Sequence, residues 1–131
     1  MNQETAIPLF ESVPAGFTAA VEDYAQDRLD LNHYMIKHPA ATFFVKVVGD
    51  SMIGDHITTG DILVVDKALE PLSGKIVVAV INGEFTVKKL HIEKEKITLR
   101  ASNPKYPPIP LTNEVDYEIW GVVTYVIHKT S

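Results

Sequence analysis

The dipeptide Asn82-Gly83 lies between two runs that read as strands, Lys75–Ile81 and Glu84–Leu90. A two-residue type I′ connection needs positive φ at both central positions, which asparagine tolerates and glycine adopts freely. The pair therefore predicts a β-hairpin and commits the middle of the chain to antiparallel sheet. Thr42–Val48, rich in β-branched and aromatic residues, and Ile62–Val65, after the turn-like Thr59-Gly60-Asp61, read as two more strands. Lys96–Ala101 and Tyr117–His128 complete the set, with Asn103-Pro104 and Pro107-Pro108 marking the loop between them. The fold class is mainly β.

The N-terminal part follows other rules. Residues 1–17 read as an arm, because Pro8 and Pro14 exclude a regular helix and Pro14-Ala15-Gly16 is small and flexible. Ile7, Leu9, Phe10 and Val13 are apolar, which predicts that the arm lies against its own domain or a partner's. Residues 18–38 are helical in character: Val21, Tyr24, Leu29 and Leu31 form a partial stripe, and Asp30 suits the cap of a short helix running through Ile36, which Pro39 ends. Two short pieces fit this stretch as well as one.

Length and charge narrow the function. A chain of 131 residues suits one domain with a sizeable core. The absence of cysteine excludes a disulfide framework, a thiolate nucleophile and a thiolate zinc site. A net charge of −5 with no run of Lys and Arg disfavours sequence-specific DNA binding, and Lys88, Lys89, Lys94 and Lys96 read as a solvated hairpin surface. The first residues have no basic start and no apolar core of signal-peptide length, and Ile119–Ile127, broken by Gly121 and Thr124, is far below the ~20 residues of a membrane helix. A soluble, cytoplasmic protein is expected.

Gly49-Asp50-Ser51-Met52 directly follows a strand. Glycine permits a sharp turn there, a serine just beyond it can sit on the rim, and backbone N–H groups at such a turn can converge as an oxyanion hole requires. A serine so placed more often caps a helix or satisfies a turn, and as a nucleophile it needs a base. His33, His38, His56, His91 and His128 fall in no triad motif and lack metal-ligand spacing. Asp50, Asp55, Asp61 and Asp66 do not make the acidic loop of a calcium site. No metal or cofactor is expected.

Lysine is the other candidate base. Lys88 and Lys89 are neighbours on one strand and point to opposite faces, one with Thr86 and Leu90, the other with Phe85 and Val87. Either lysine meets apolar neighbours, and desolvation lowers an ammonium's pKa until it can take a proton from serine near neutral pH. Two solvated lysines on an edge strand fit the same spacing, which does not choose between them.

The segments FFVKVVGDSMIGDHITTGDILVVD and GEFTVKKL, within Thr42–Leu90, resemble the catalytic domain of the LexA/UmuD-type self-cleaving Ser-Lys peptidases, most closely the UmuD branch. PLFESVPAGF and DYAQDRLDLNHYMIKHPAATFFVK upstream, and Trp120-Gly121-Val122-Val123 downstream, extend the likeness to nearly the whole chain. The resemblance implies a LexA/signal-peptidase-like β domain over 16–131, preceded by a short helical segment and a cleavable arm, 1–15. It implies Ser51 as nucleophile, Lys88 and not Lys89 as base, and an oxyanion hole from the backbone N–H groups of Asp50 and Ser51. The cut falls between Ala15 and Gly16, where UmuD has cysteine before the glycine and LexA relatives have alanine. Only fifteen residues precede it, too few for the helix-turn-helix unit of a LexA repressor.

The implied biology is SOS mutagenesis. A RecA filament on single-stranded DNA stimulates the cut, and the trimmed homodimer joins a UmuC-like Y-family polymerase for translesion synthesis. Two other classes compete: a non-proteolytic interaction platform, and a soluble general Ser-Lys peptidase.

Overall fold

The computed structural model describes residues 5–10, 15–16 and 26–131, which divide into two compact units, Met1–Lys37 and His38–Ser131. In the first, β1 (Ile7–Phe10) pairs antiparallel with β2 (Gln26–Leu29), Ile7 opposite Leu29. The Arg28 guanidinium donates to the Ala6 carbonyl at 2.7 Å, closing the open end of this ribbon. Asp30 then caps α1 (Leu31–Met35): one carboxylate oxygen accepts the Asn32 N–H at 3.0 Å, and the other accepts the Thr5 hydroxyl at 2.6 Å.

The expected Asp30 cap is present and the helix gives way at Ile36. The broader helical reading of 18–38 is corrected over Gln26–Leu29, which is a strand. The arm supplies a backbone partner there, and ladder pairing outweighs a stripe of few residues. Val13, Val21 and Tyr24 lie outside the described residues. The arm does lie against its own chain, at β2, although Ile7 and Phe10 stay exposed.

The second unit is one seven-stranded antiparallel sheet. Its strands are β3 (Thr42–Lys46), β4 (Ile62–Asp66), β5 (Ile76–Ile81), β6 (Glu84–Glu93), β7 (Lys96–Arg100), β8 (Ile109–Pro110) and β9 (Tyr117–Ile127). They are ordered β3-β4-β9-β5-β6-β7-β8. The β5–β6 hairpin turns at Asn82 (φ 48°) and Gly83 (φ 84°), as the dipeptide predicts. The long β9 runs between β4 and β5, and its register shifts once against each, leaving Thr124 and Trp120 unpaired as bulges. In this second unit only β8 has no counterpart in the sequence reading. It is two residues long and sits at the sheet edge, where a proline is tolerated.

Successive residues of β5 sort to opposite faces, which places a core on each side of the sheet. Val77 and Ala79 pack with Leu90, Leu99, Leu111 and Val122. Val78 packs with Met52, Ile57, Leu63 and Val65. Met52 and Ile57 come from the segment between β3 and β4, so the second core anchors the stretch that carries Ser51. The aromatic edge of this core is Trp120, met edge-on by Phe43 and Phe85.

Candidate active site

The chain leaves β3 through Val47 and Val48 and turns at Gly49, whose φ of +110° is a conformation that L side chains rarely adopt. The Thr59 hydroxyl bridges both ends of this glycine, accepting its N–H at 2.9 Å and donating to its carbonyl at 3.2 Å. Ser51 follows, then Met52 plunges into the core, and a single 3₁₀ turn, Ile53–Asp55, closes the segment. The glycine turn and the buried methionine bracket Ser51 on a fixed stretch of backbone.

Lys88 comes from β6, where Thr86, Lys88 and Leu90 share one face. Its side chain is buried, with 8% of the residue exposed, and its Nζ lies 3.1 Å from Ser51 Oγ. The same nitrogen donates to Thr86 Oγ1 at 2.7 Å and to the Val87 carbonyl at 3.2 Å. A neutral amine has two N–H donors and one lone pair. Val87 can only accept, and Thr86 can accept the second proton, which leaves the lone pair for the Ser51 hydroxyl. Burial pushes the Lys88 pKa below the ordinary lysine value, and among the described residues no carboxylate lies within ion-pair reach to oppose it.

Lys89 does something else. It points to the other face, remains partly exposed and pairs with Asp55 at 2.9 Å. Burial raises the Asp55 carboxyl, but Lys89 and Ser102 outweigh it and hold the group ionised at lower pH than usual. The expected basic hairpin surface is thereby reduced: Lys88 is inside, Lys89 is paired, and Lys94 and Lys96 alternate with Glu93 and Glu95.

The loop after β7 closes the back of the Ser51 turn. The Ser102 N–H donates to the Ser51 carbonyl at 2.9 Å, and the Ser102 carbonyl accepts the Gly54 N–H at 2.9 Å. Gly54 is required there, since a Cβ would stand 2.4 Å from the Ser102 carbonyl oxygen. Asn103, 7% exposed, donates from Nδ2 to the Asp50 carbonyl at 2.9 Å. The Asp50 carboxylate accepts the Tyr106 hydroxyl at 2.5 Å and Lys105 Nζ at 3.4 Å. Tyr106 is the larger influence lowering the Asp50 carboxyl, whose own backbone N–H also contributes, and the same contact raises the Tyr106 phenol.

In front of Ser51 and Lys88 an open cleft of about 270 Å³ is walled by Val47, Val48, Met52, Ile57 and Phe85. Ala15 and Gly16, the expected cleavage pair, are exposed at a bend in the first unit. Among the described residues no cluster of His, Asp or Glu could hold a metal, and no helix is long and apolar enough to cross a membrane.

Thr86, Ser102, Asn103 and Tyr106 were not singled out as site residues in the sequence. Thr86 had been placed on the face of one lysine, and Asn103 was visible only as a loop signal. Their roles depend on a strand roughly thirty-five residues and a loop roughly fifty residues along the chain meeting the serine turn.

A lysine buried against a serine on a glycine turn is an arrangement that serine–lysine hydrolases use. The chain belongs to the Peptidase S24-like family, whose match spans residues 8–124, and with it to the self-cleaving serine peptidases. It is 50% identical to Protein SamA of Salmonella typhimurium over 98% of its own length and 89% of SamA. It is 44% identical to Protein ImpA of Escherichia coli, covering 94% of this chain and 84% of ImpA. A LexA repressor, from Desulfatibacillum aliphaticivorans, is 36% identical over 94% of this chain and 61% of the repressor. The LexA/UmuD resemblance and the mainly β fold read from the sequence are thus borne out.

Proposed function

We propose that this chain is a UmuD-like SOS mutagenesis protein that cuts itself between Ala15 and Gly16 with Ser51 as nucleophile and Lys88 as base. The observation that carries the reading is the buried Lys88 amine, 3.1 Å from Ser51 Oγ and depressed in pKa by that burial. Neutral Lys88 takes the Ser51 proton, and Oγ attacks the Ala15 carbonyl carbon. The N–H groups of Asp50 and Ser51 hold the oxyanion. The C–N bond then breaks, and protonated Lys88 returns its proton to the Gly16 amine. Lys88 next deprotonates a water, which releases residues 1–15 as a free carboxylate and restores Ser51.

Removing the arm, 1–15, from the β domain, 16–131, uncovers the strand that the arm had paired. In this reading a RecA filament on single-stranded DNA stimulates the cut. The trimmed homodimer then serves a UmuC-like Y-family polymerase in translesion synthesis. The family membership and the kinship with SamA and ImpA support this assignment.

Intact mass after alkaline incubation tests the dyad. The native chain loses residues 1–15, while Ser51→Ala and Lys88→Ala stay whole, with rates down about a thousandfold or more. Adding RecA, nucleotide and single-stranded DNA moves cleavage to neutral pH. Cleavage of Lys88→Ala at the native rate overturns the dyad, and a chain that stays whole under both conditions leaves an interaction platform.

A further inference from the structure

The two peptide groups flanking Ser51 are held from one side by one loop. The Asp50 carbonyl accepts Asn103 Nδ2 at 2.9 Å, and the Ser51 carbonyl accepts the Ser102 N–H at 2.9 Å. We propose that Asn103 is a positioning residue for the self-cleavage: by holding the Asp50 carbonyl it fixes the plane of the Asp50–Ser51 peptide and aims the Ser51 N–H at the oxyanion. This rests on the serine–lysine reading above and goes beyond it by naming what sets the oxyanion donor.

The argument is geometric. A trans peptide is planar, with its C=O and N–H pointing in opposite directions, and among the described residues no peptide bond is cis. Whatever pins the Asp50 carbonyl therefore dictates where the Ser51 N–H points. The Ile53 N–H also reaches that carbonyl, but at 3.4 Å, so Asn103 is the shorter restraint. The Asp50 N–H belongs to the preceding peptide, whose Gly49 carbonyl accepts the Thr59 hydroxyl at 3.2 Å, so the Ser51 N–H is the donor that the Asp50–Ser51 peptide controls.

The orientation of the Asn103 amide is itself determined. Its Oδ1 accepts the Lys105 N–H at 3.1 Å, a group that can only donate, so Nδ2 is the atom facing the Asp50 carbonyl. With the residue 7% exposed, water does not readily replace that bond. Free rotation of the Asp50–Ser51 peptide would leave Ser51 Oγ and Lys88 Nζ in reach of each other and lose only the donor to the developing charge.

That separation gives the test. Self-cleavage of the full chain is followed by intact mass across alkaline pH for native, Asn103→Ala and Asn103→Asp. The second variant keeps the shape and the Lys105 contact but has no donor for the Asp50 carbonyl. In parallel, each change is placed on Ser51→Cys and the thiolate is alkylated with iodoacetamide, a displacement that forms no oxyanion. Both Asn103 variants are expected to cleave about ten- to a hundredfold more slowly. The midpoint of the pH profile stays unchanged, and alkylation stays within about twofold of the Ser51→Cys parent.

Cleavage at the native rate overturns the assignment to Asn103. So does alkylation that falls in step with cleavage, which marks a structural role only, or a displaced pH midpoint, which marks an effect on Lys88. Should Asn103→Ala not fold, Asn103→Asp carries the test alone. A native chain that is never cut overturns the peptidase reading itself and this inference with it, a result distinct from a cut native chain and an indifferent Asn103.

Discussion

At the scale of single residues, the site turns on one side chain whose charge is unwelcome where it sits. Lys88 has two acceptors and a serine around it, and burial alone lowers its pKa. The group is cationic below its folded pKa and neutral above it, and only the neutral form accepts the Ser51 proton. Spontaneous cleavage is therefore expected to rise tenfold per pH unit at first and to level off at a pH below the ordinary lysine value of 10.5. Rates of arm loss across a pH series check this, and a flat profile contradicts a lysine base. The sign for stability is the same: the unfolded chain binds the Lys88 proton more tightly, so the cost of burying it is relieved as pH rises through the window between the two pKa values.

At the scale of elements, the sheet reaches the site through close backbone approaches that only glycine permits. Gly121 sits in β9 beside the Trp120 bulge, and a Cβ there would stand 2.8 Å from Val65 Cγ1 and 3.1 Å from the Asp66 carbonyl oxygen. Gly121→Ala must push β4 away from β9 or displace Val65 from the second core. The expected cost is about 1–3 kcal/mol by denaturant unfolding, with the slope unchanged. A neutral result means that the β4–β9 spacing relaxes freely. Because Val65 packs in the same core as Met52 and Ile57, the variant is also expected to slow self-cleavage in proportion to the disturbance of that core.

At the scale of the whole second unit, β4 is pinned at both ends by histidine–aspartate pairs. Asp61, just before the strand, meets His128 at 2.6 Å, and Asp66, its last residue, meets His38 at 2.6 Å. The Thr58 N–H and then His128 hold the Asp61 carboxyl below its ordinary value. At Asp66 burial acts upward, but His38 and the Ala68 N–H outweigh it. Both folded pKa values lie below 3.8, so the stabilisation is present above that value and is lost as pH falls through the folded pKa values. The melting temperature is expected to fall as pH drops from about 5 toward 2. Asp61→Asn lowers it at neutral pH and flattens the acid limb. An acid limb identical to the native one excludes Asp61 from the linkage.

The sequence by itself determined what is local. Asn82-Gly83 dictated the hairpin because its φ requirements are met within two residues, Gly49 marked the turn before Ser51, and Asp30 capped α1 through its nearest N–H groups. Strand alternation put Lys88 and Lys89 on opposite faces, and the resemblance chose between them. The tertiary structure decided what depends on distant partners. It made Gln26–Leu29 a strand by pairing it with the arm, and it buried Lys88 while leaving Lys89 to Asp55. It also brought Asn103 under Asp50 and Thr86 under the lysine amine. Periodicity records which face a residue takes. It does not record which residue, thirty to fifty positions away, waits on that face, because that is set by how the sheet and its loops close on one another.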